Sequence, residues 1–348
     1  MTYREIIQKR LNHERTDVTP YTVDFEFDVY RRLSEYYKDE NWESKKLAKF
    51  TYSYLGIDTV MMEEGSDLFG GGDAMAYDGY GTLWKMDKWP PHIEKPALVE
   101  PNFDGYAFPS ADKFINPVLA RKEQAIEDYI NNTEQYRIIG MGWGIFEHAW
   151  QMRGFEDSLT DVILEEDFYS ELTTRLTDLY IDMLKSCEDV PADAYLFGDD
   201  WGDQRGIIIG AERWRKFIKP CWERIYKEVH RQGKKVIQHS CGSIAEIYDD
   251  LAEIGMDCHE SVQPEAFGME PSSIKKTWGK KISFWGCLGN QSTLYSGTPA
   301  EIRKEIFRLR DLFKNDGGFV LAPAKPLPYN MPIEKAVAVV EALSELNI

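Results

Sequence analysis

Short apolar runs alternate with longer amphipathic ones along most of the chain. The short runs predict strands over 21–26, 59–63, 137–143, 194–199, 235–241, 256–262, 282–288 and 319–323. Between them, apolar residues recur at helical spacing and predict helices over 161–187, 211–232, 243–254, 299–314 and 331–346. Local start signals agree with this division. Ser243 has Glu246 three residues on, a capping-box pattern, and Pro299 and Pro332 stand at early helical positions. Strand and helix repeated to a count near eight imply an α/β fold with a parallel sheet and crossover helices. The count and the length favour a closed (β/α)8 TIM barrel over an open sheet, with residues 1–348 as a single barrel domain. The candidate strands end in loops carrying Gly, Asp, His, Cys or Trp. In such barrels the active groups gather at the C-terminal ends of the strands.

One stretch breaks the rhythm. Residues 65–101 hold three consecutive glycines, Gly70 to Gly72, several aromatics, and an apolar-polar alternation from Tyr80 to Met86. This reads as a β-hairpin inserted after the second strand, serving either as a lid over the barrel mouth or as a structural excursion.

Composition narrows the partners. The formal net charge of −18 argues against nucleic acid and against anionic membranes, both of which need basic surface. There is no run of 18 or more apolar residues and no apolar leader behind Met1. The five cysteines are an odd number with no disulfide-like spacing. A cytoplasmic protein with reduced thiols is expected.

The chemistry is concentrated at the predicted strand ends. In "QHSCGS", His239 and Cys241 stand two apart, so on a strand they share a face. Imidazole plus thiolate suits zinc, and a catalytic zinc wants three protein ligands. A buried cysteine beside a hydrogen-bonded histidine would leave the same pattern. "FGDDWGDQRG" offers Asp199, Asp200, Asp203 and Gln204, and alternation lets only one of the adjacent aspartates face the mouth. "GMGWGIFEHAW" offers an aromatic wall of Trp143, Phe146 and Trp150 beside Glu147 and His148. "CHESVQP" carries Cys258, Glu260 and Gln263, "FWGCLGNQ" carries Cys287, and "LAPAKPLPYNMP" carries Lys325.

From about Asn12 onward the chain resembles the uroporphyrinogen decarboxylase superfamily. The residues that carry the resemblance are "HSCGSIAEIYDDLAEIGMDCHESVQPEAFGM" from His239, "ISFWGCLGNQSTLYSGTPAEIRKEI" from Ile282, "GGFVLAPAKPLP" from Gly317, and "FGDDWGDQRG" before a helix containing "FIKP". The resemblance implies a (β/α)8 barrel. Decarboxylases of this superfamily carry an arginine-rich N-terminal segment of the kind "RQAGR". This chain has "VDFEFDVYRRLSEYY", in which Arg31 and Arg32 stand among acids such as Asp24, Glu26 and Asp28. A polyanionic tetrapyrrole would be repelled there.

The chain is more similar to the cobamide-dependent methyltransferase branch. That branch implies zinc held by an HxC at the fifth strand, matched by His239 and Cys241, and by a cysteine after the eighth strand, where this chain has Lys325. The third ligand is left to Cys287, Glu260 or Glu147, in that order, and a site without metal remains open. The implied reaction is a zinc-assisted methyl transfer between a small methoxylated, methylated or thiol substrate and a corrinoid on a partner protein. Asp199, Glu147 and His148 are the expected catalytic groups. Trp143, Phe146, Gln204, Gln263 and Lys325 are the expected substrate contacts, and His239, Cys241 and Cys287 the expected metal ligands. Decarboxylation of a small or tetrapyrrole carboxylate is the alternative, as is a non-catalytic corrinoid- or tetrapyrrole-binding role. A homodimer fits a barrel of this size.

Overall fold

The computed structural model describes residues 1–57, 75–87, 90–131 and 134–348. Its centre is a curled parallel sheet. In chain order its strands are β1 (Thr51–Gly56), β5 (Tyr136–Gly140), β6 (Ala194–Gly198), β7 (Lys235–His239), β8 (Cys258–Val262), β9 (Ser283–Leu288) and β10 (Phe319–Pro323), and spatial order follows chain order. The intervening labels belong to a small antiparallel sheet of β2 (Met75–Tyr77), β3 (Leu83–Lys85) and β4 (His92–Lys95). Each parallel strand returns through helices, as a parallel pair requires. β9 and β10 are buried at every position. Strands covered on both faces need continuous apolar runs, and these strands have them.

The residues 20–26 run parallel to β10 on its outer edge. Thr22 N donates to Leu321 O at 2.9 Å and Leu327 N donates to Asp24 O at 2.9 Å. Across from them the Tyr21 ring meets Phe50 edge-on at 5.2 Å, and the Tyr21 hydroxyl accepts the Ala48 N–H. The predicted first strand is therefore a short bridged segment. The expected second strand, 59–63, lies outside the described residues. The strand found before β5 is β1, whose sequence TYSYLG has no apolar run to announce it.

The helices depart from expectation where local geometry intervenes. The expected helix 161–187 is two helices, Phe155–Leu164 and Glu166–Ser186, because Glu165 leaves helical dihedrals (φ −126°, ψ 50°). The expected start at Ser243 is not a capping box. The Ser243 hydroxyl donates to Phe267 O at 2.6 Å, and the regular helix begins only at Tyr248. Thr298, by contrast, forms a full capping box with Glu301 ahead of Pro299–Phe313.

Helix Lys219–Arg231 shows how the outer layer is held. Cys221, Trp222, Ile225, Tyr226 and Val229 recur at three- and four-residue spacing and are buried, facing β6, β7 and helix Glu166–Ser186. Burying a side chain as large as Trp222 contributes about 3 kcal/mol. This packing fixes the strands whose ends carry the polar residues below. Among the described residues no helix is long and apolar enough to cross a membrane.

Candidate functional site

Register brings the polar strand ends together. In the parallel ladder Gly198 pairs with His239 and His239 with Glu260, so these positions lie in one row across β6, β7 and β8. The Glu260 carboxylate accepts from His239 Nδ1 at 2.5 Å. A carboxylate only accepts, so Nδ1 carries a proton and Nε2 is the ring nitrogen turned toward the other side. Cys241 Sγ lies 3.3 Å from that Nε2. β7 ends at His239, so Cys241 belongs to the following turn and not to the strand. Its backbone N–H donates to Asp200 Oδ1 at 2.7 Å, and Asp200 Oδ1 lies 3.6 Å from His239 Nε2. One nitrogen, one sulfur and one oxygen thus lie within 4.8 Å of one another.

Asp199 and Asp200 diverge as alternation requires. Asp200 reaches the cluster. Asp199 is fully buried beneath it and accepts four bonds, from Phe146 N (3.1 Å), Glu147 N (2.9 Å), Trp201 Nε1 (2.7 Å) and Trp222 Nε1 (3.0 Å). Burial pushes its carboxyl up to about 6, even though those donors favour the ionised form. Asp199 thereby holds the N-terminus of helix Ile145–Arg153, which carries Glu147. Burial and then Asp200 and Asp199 push the Glu147 carboxyl well above its ordinary value, toward the protonated acid.

Lys325 follows β10 and donates from Nζ to Cys241 Sγ at 2.8 Å. Its backbone is clamped by Asn290, whose Oδ1 accepts from Lys325 N at 3.1 Å and whose Nδ2 donates to Lys325 O at 3.3 Å. Burial opposes the charges on His239 and Lys325. For His239 the pull of Glu260 and Cys241 exceeds it, and for Lys325 that of Cys241, Asp200 and Glu260 does, so both groups titrate above their ordinary values. A cavity of about 160 Å³ opens beside them, lined by Thr22, Val23, Asp24, His239, Glu260 and residues 322–326.

The remaining sequence candidates lie elsewhere. His148 is fully buried, with Nδ1 on Gln151 Oε1 at 2.9 Å and its ring against Tyr80, and burial lowers its pKa to about 3. Phe146 is 2% exposed and belongs to the core. Trp143 lines a different cavity of about 660 Å³ with Trp84, Trp150 and Phe155. Gln263 is 8% exposed and accepts the Gly242 N–H at 3.0 Å, which steadies the turn after Cys241. Gln204 is exposed, and its carbonyl accepts from Phe267 N. Cys287 is fully buried at φ 71° and its thiol is pushed up by burial; it is not part of the group formed by Asp200, His239 and Cys241. Glu260 takes the outer side of His239. Sequence reasoning weighed Asp200 against Asp199 and chose Asp199, and it did not single out Asn290. Alternation at 198–200 could have found Asp200, but nothing local marks Asn290.

A family model described as uroporphyrinogen decarboxylase (URO-D) matches residues 35–346. Uroporphyrinogen decarboxylases from two strains of Bacillus cereus are 28% identical over 142 residues, which is 36% of this chain and 39% of each of theirs. The match therefore spans well under half the length of those curated relatives. Among solved structures, a methyltransferase from Methanosarcina mazei superposes with a TM-score of 0.68 over 99% of both chains at 17% identity, a likeness of fold.

Proposed function

The chain belongs to the uroporphyrinogen decarboxylase family, and we propose that it is a methyltransferase within that family. It moves a methyl group between a small substrate and a corrinoid carried by a partner protein, with zinc as the resident metal. The observation that carries this reading is the convergence of His239 Nε2, Cys241 Sγ and Asp200 Oδ1 within 4.8 Å at the C-terminal ends of the strands. Three donors of mixed N, S and O type suit a catalytic zinc, which keeps one position open. The Glu260 bond to Nδ1 is the outer partner that metal-binding histidines ordinarily have. The residues present therefore fit the metal, with Asp200 as third ligand in place of Cys287. Bound there, zinc would supply Lewis acidity, activating a thiol or polarising a methyl-bearing heteroatom.

The protein's own groups have separate tasks. Glu260 fixes the ring of His239. Glu147, held toward its acid form, donates a proton to the heteroatom that the methyl group leaves. The separate aromatic cavity at Trp143 shares helix Ile145–Arg153 with Glu147 through Trp150, and the apolar part of the substrate is assigned to it. Asp24, Glu147, Asp200 and Glu260 make the mouth acidic, which disfavours a substrate with many carboxylates. The fold likeness to the Methanosarcina methyltransferase supports the same branch. The reading includes a (β/α)8 barrel closed through residues 20–26 in one domain, the described part of the 65–101 insertion (75–87 and 90–101) as a lid, a cytoplasmic protein and a homodimer. The five free thiols support the location.

Elemental analysis tests the reading. About one zinc per chain is expected in wild type and in Cys287→Ala, and little in Cys241→Ala. With a thiol as methyl acceptor, wild-type protein should also demethylate free methylcobalamin to the Co(I) form, releasing the thiol proton, as followed by the visible spectrum of the corrinoid. Absence of metal, together with carbon dioxide release from uroporphyrinogen, would move the assignment to the decarboxylase activity of the Bacillus relatives.

A further inference from the structure

One donor of the set, Cys241 Sγ, already holds a cation. The Lys325 ammonium sits 2.8 Å from Cys241 Sγ, on the same sulfur that lies 3.3 Å from His239 Nε2. Its placement is specific. Asn290 grips the Lys325 backbone from both sides, and Pro323 and Pro326 restrict the chain around it. The ammonium therefore reaches the sulfur from a fixed base. Its four-carbon stem remains rotatable. The adjacent cavity of about 160 Å³, lined by Asp24 and Glu260, offers carboxylates to an ammonium that leaves the sulfur.

We propose that Lys325 is a displaceable internal cation that occupies one donor of the set, Cys241 Sγ, in place of the metal and thereby lowers the site's metal affinity. This rests on the metal reading given above. A divalent ion ligated by Cys241 and the exposed Lys325 ammonium docked on the same sulfur would repel each other at contact distance, well inside the screening length of salt. Metal entry therefore requires Lys325 to swing aside toward Asp24 and Glu260. A neutral residue at this position removes that requirement. Lys325 acts on the metal through charge and position and is not itself a ligand.

The test is zinc affinity, measured by competition with a chromogenic chelator on metal-stripped protein. Wild type, Lys325→Met, Lys325→Gln and Lys325→Arg are compared, with urea unfolding in chelator as the check on folding. Partners outside the ligand shell move metal affinity by about ten- to a hundredfold. Both neutral variants should bind zinc about tenfold more tightly than wild type with unchanged unfolding midpoints, while Lys325→Arg stays near wild type. Zinc uptake by wild type with equal or weaker uptake by both neutral variants overturns the proposal and leaves the metal reading standing. No zinc uptake by any of the four proteins overturns both.

Discussion

Glu260 and His239 share one register row of the parallel sheet, and their side chains meet at 2.5 Å through Oε2 and Nδ1. The pair fixes both the ring plane and the tautomer of His239, which aims Nε2 at Cys241. Glu260→Gln keeps the shape but replaces the charged acceptor with a neutral amide. Zinc affinity should fall about tenfold or more, with the fold intact by circular dichroism. An unchanged affinity would show that Glu260 does not orient a ligand.

Asp199 supports the site from below. Its two oxygens receive two backbone N–H groups and two indole N–H groups in a fully buried position. Asp199→Ala orphans all four donors, and each buried orphan costs about 1–3 kcal/mol. The variant should lose about 3 kcal/mol or more in urea unfolding, with a red shift of tryptophan emission as Trp201 and Trp222 lose their partner.

These two acids also mark what a single sequence discloses. The continuous apolar runs of β9 and β10 announce buried strands, and the strand ends announce where polar chemistry would collect. Alternation says that Asp199 and Asp200 point apart, but not which of them meets His239. That depends on register between strands, set by packing across the sheet. Glu260 shares a face with Cys258 within its own strand, yet its partner is His239 on the neighbouring one. The Lys325 to Cys241 contact joins positions 84 apart, and no local pattern encodes it. β1 was invisible because TYSYLG carries its strand character in β-branched and aromatic residues rather than in an apolar run.

Two buried histidines should make the protein acid-sensitive. Burial lowers His148 to about 3 and His259 to about 4, both below the ordinary 6.5. His259 accepts from the Tyr248 hydroxyl at Nδ1 and donates from Nε2 to Ser240 O, an arrangement that satisfies a neutral ring. As pH falls below 6.5 the unfolded chain takes up protons that the folded chain refuses, so stability falls with pH down toward each folded value. Between pH 6.5 and 5 the loss is about 2 kcal/mol per histidine. His148→Phe, which keeps a ring against Tyr80, should gain about 2 kcal/mol on wild type over that interval in urea unfolding. Parallel curves for the two proteins would mean that His148 is charged in the folded state.

The loops that present Asp200 and Cys241 touch through glycine. A Cβ on Gly202 would fall 2.6 Å from Ser243 O, 2.9 Å from Ser243 N and 3.0 Å from Cys241 O, all of them backbone atoms that cannot rotate away. Across the same contact Ser243 N donates to Asp203 O at 2.7 Å. Gly202→Ala must therefore push the turn after Cys241 away from the loop that carries Asp200. Forced overpacking of this kind costs about 1–3 kcal/mol. It also widens the spacing between donors on the two loops without removing any of them. The variant should remain folded, unfold at lower urea, and bind zinc at least about tenfold more weakly than wild type. Zinc affinity equal to wild type in a folded Gly202→Ala protein would mean that Asp200 is dispensable to the site, and that His239 and Cys241 take their third ligand from another residue.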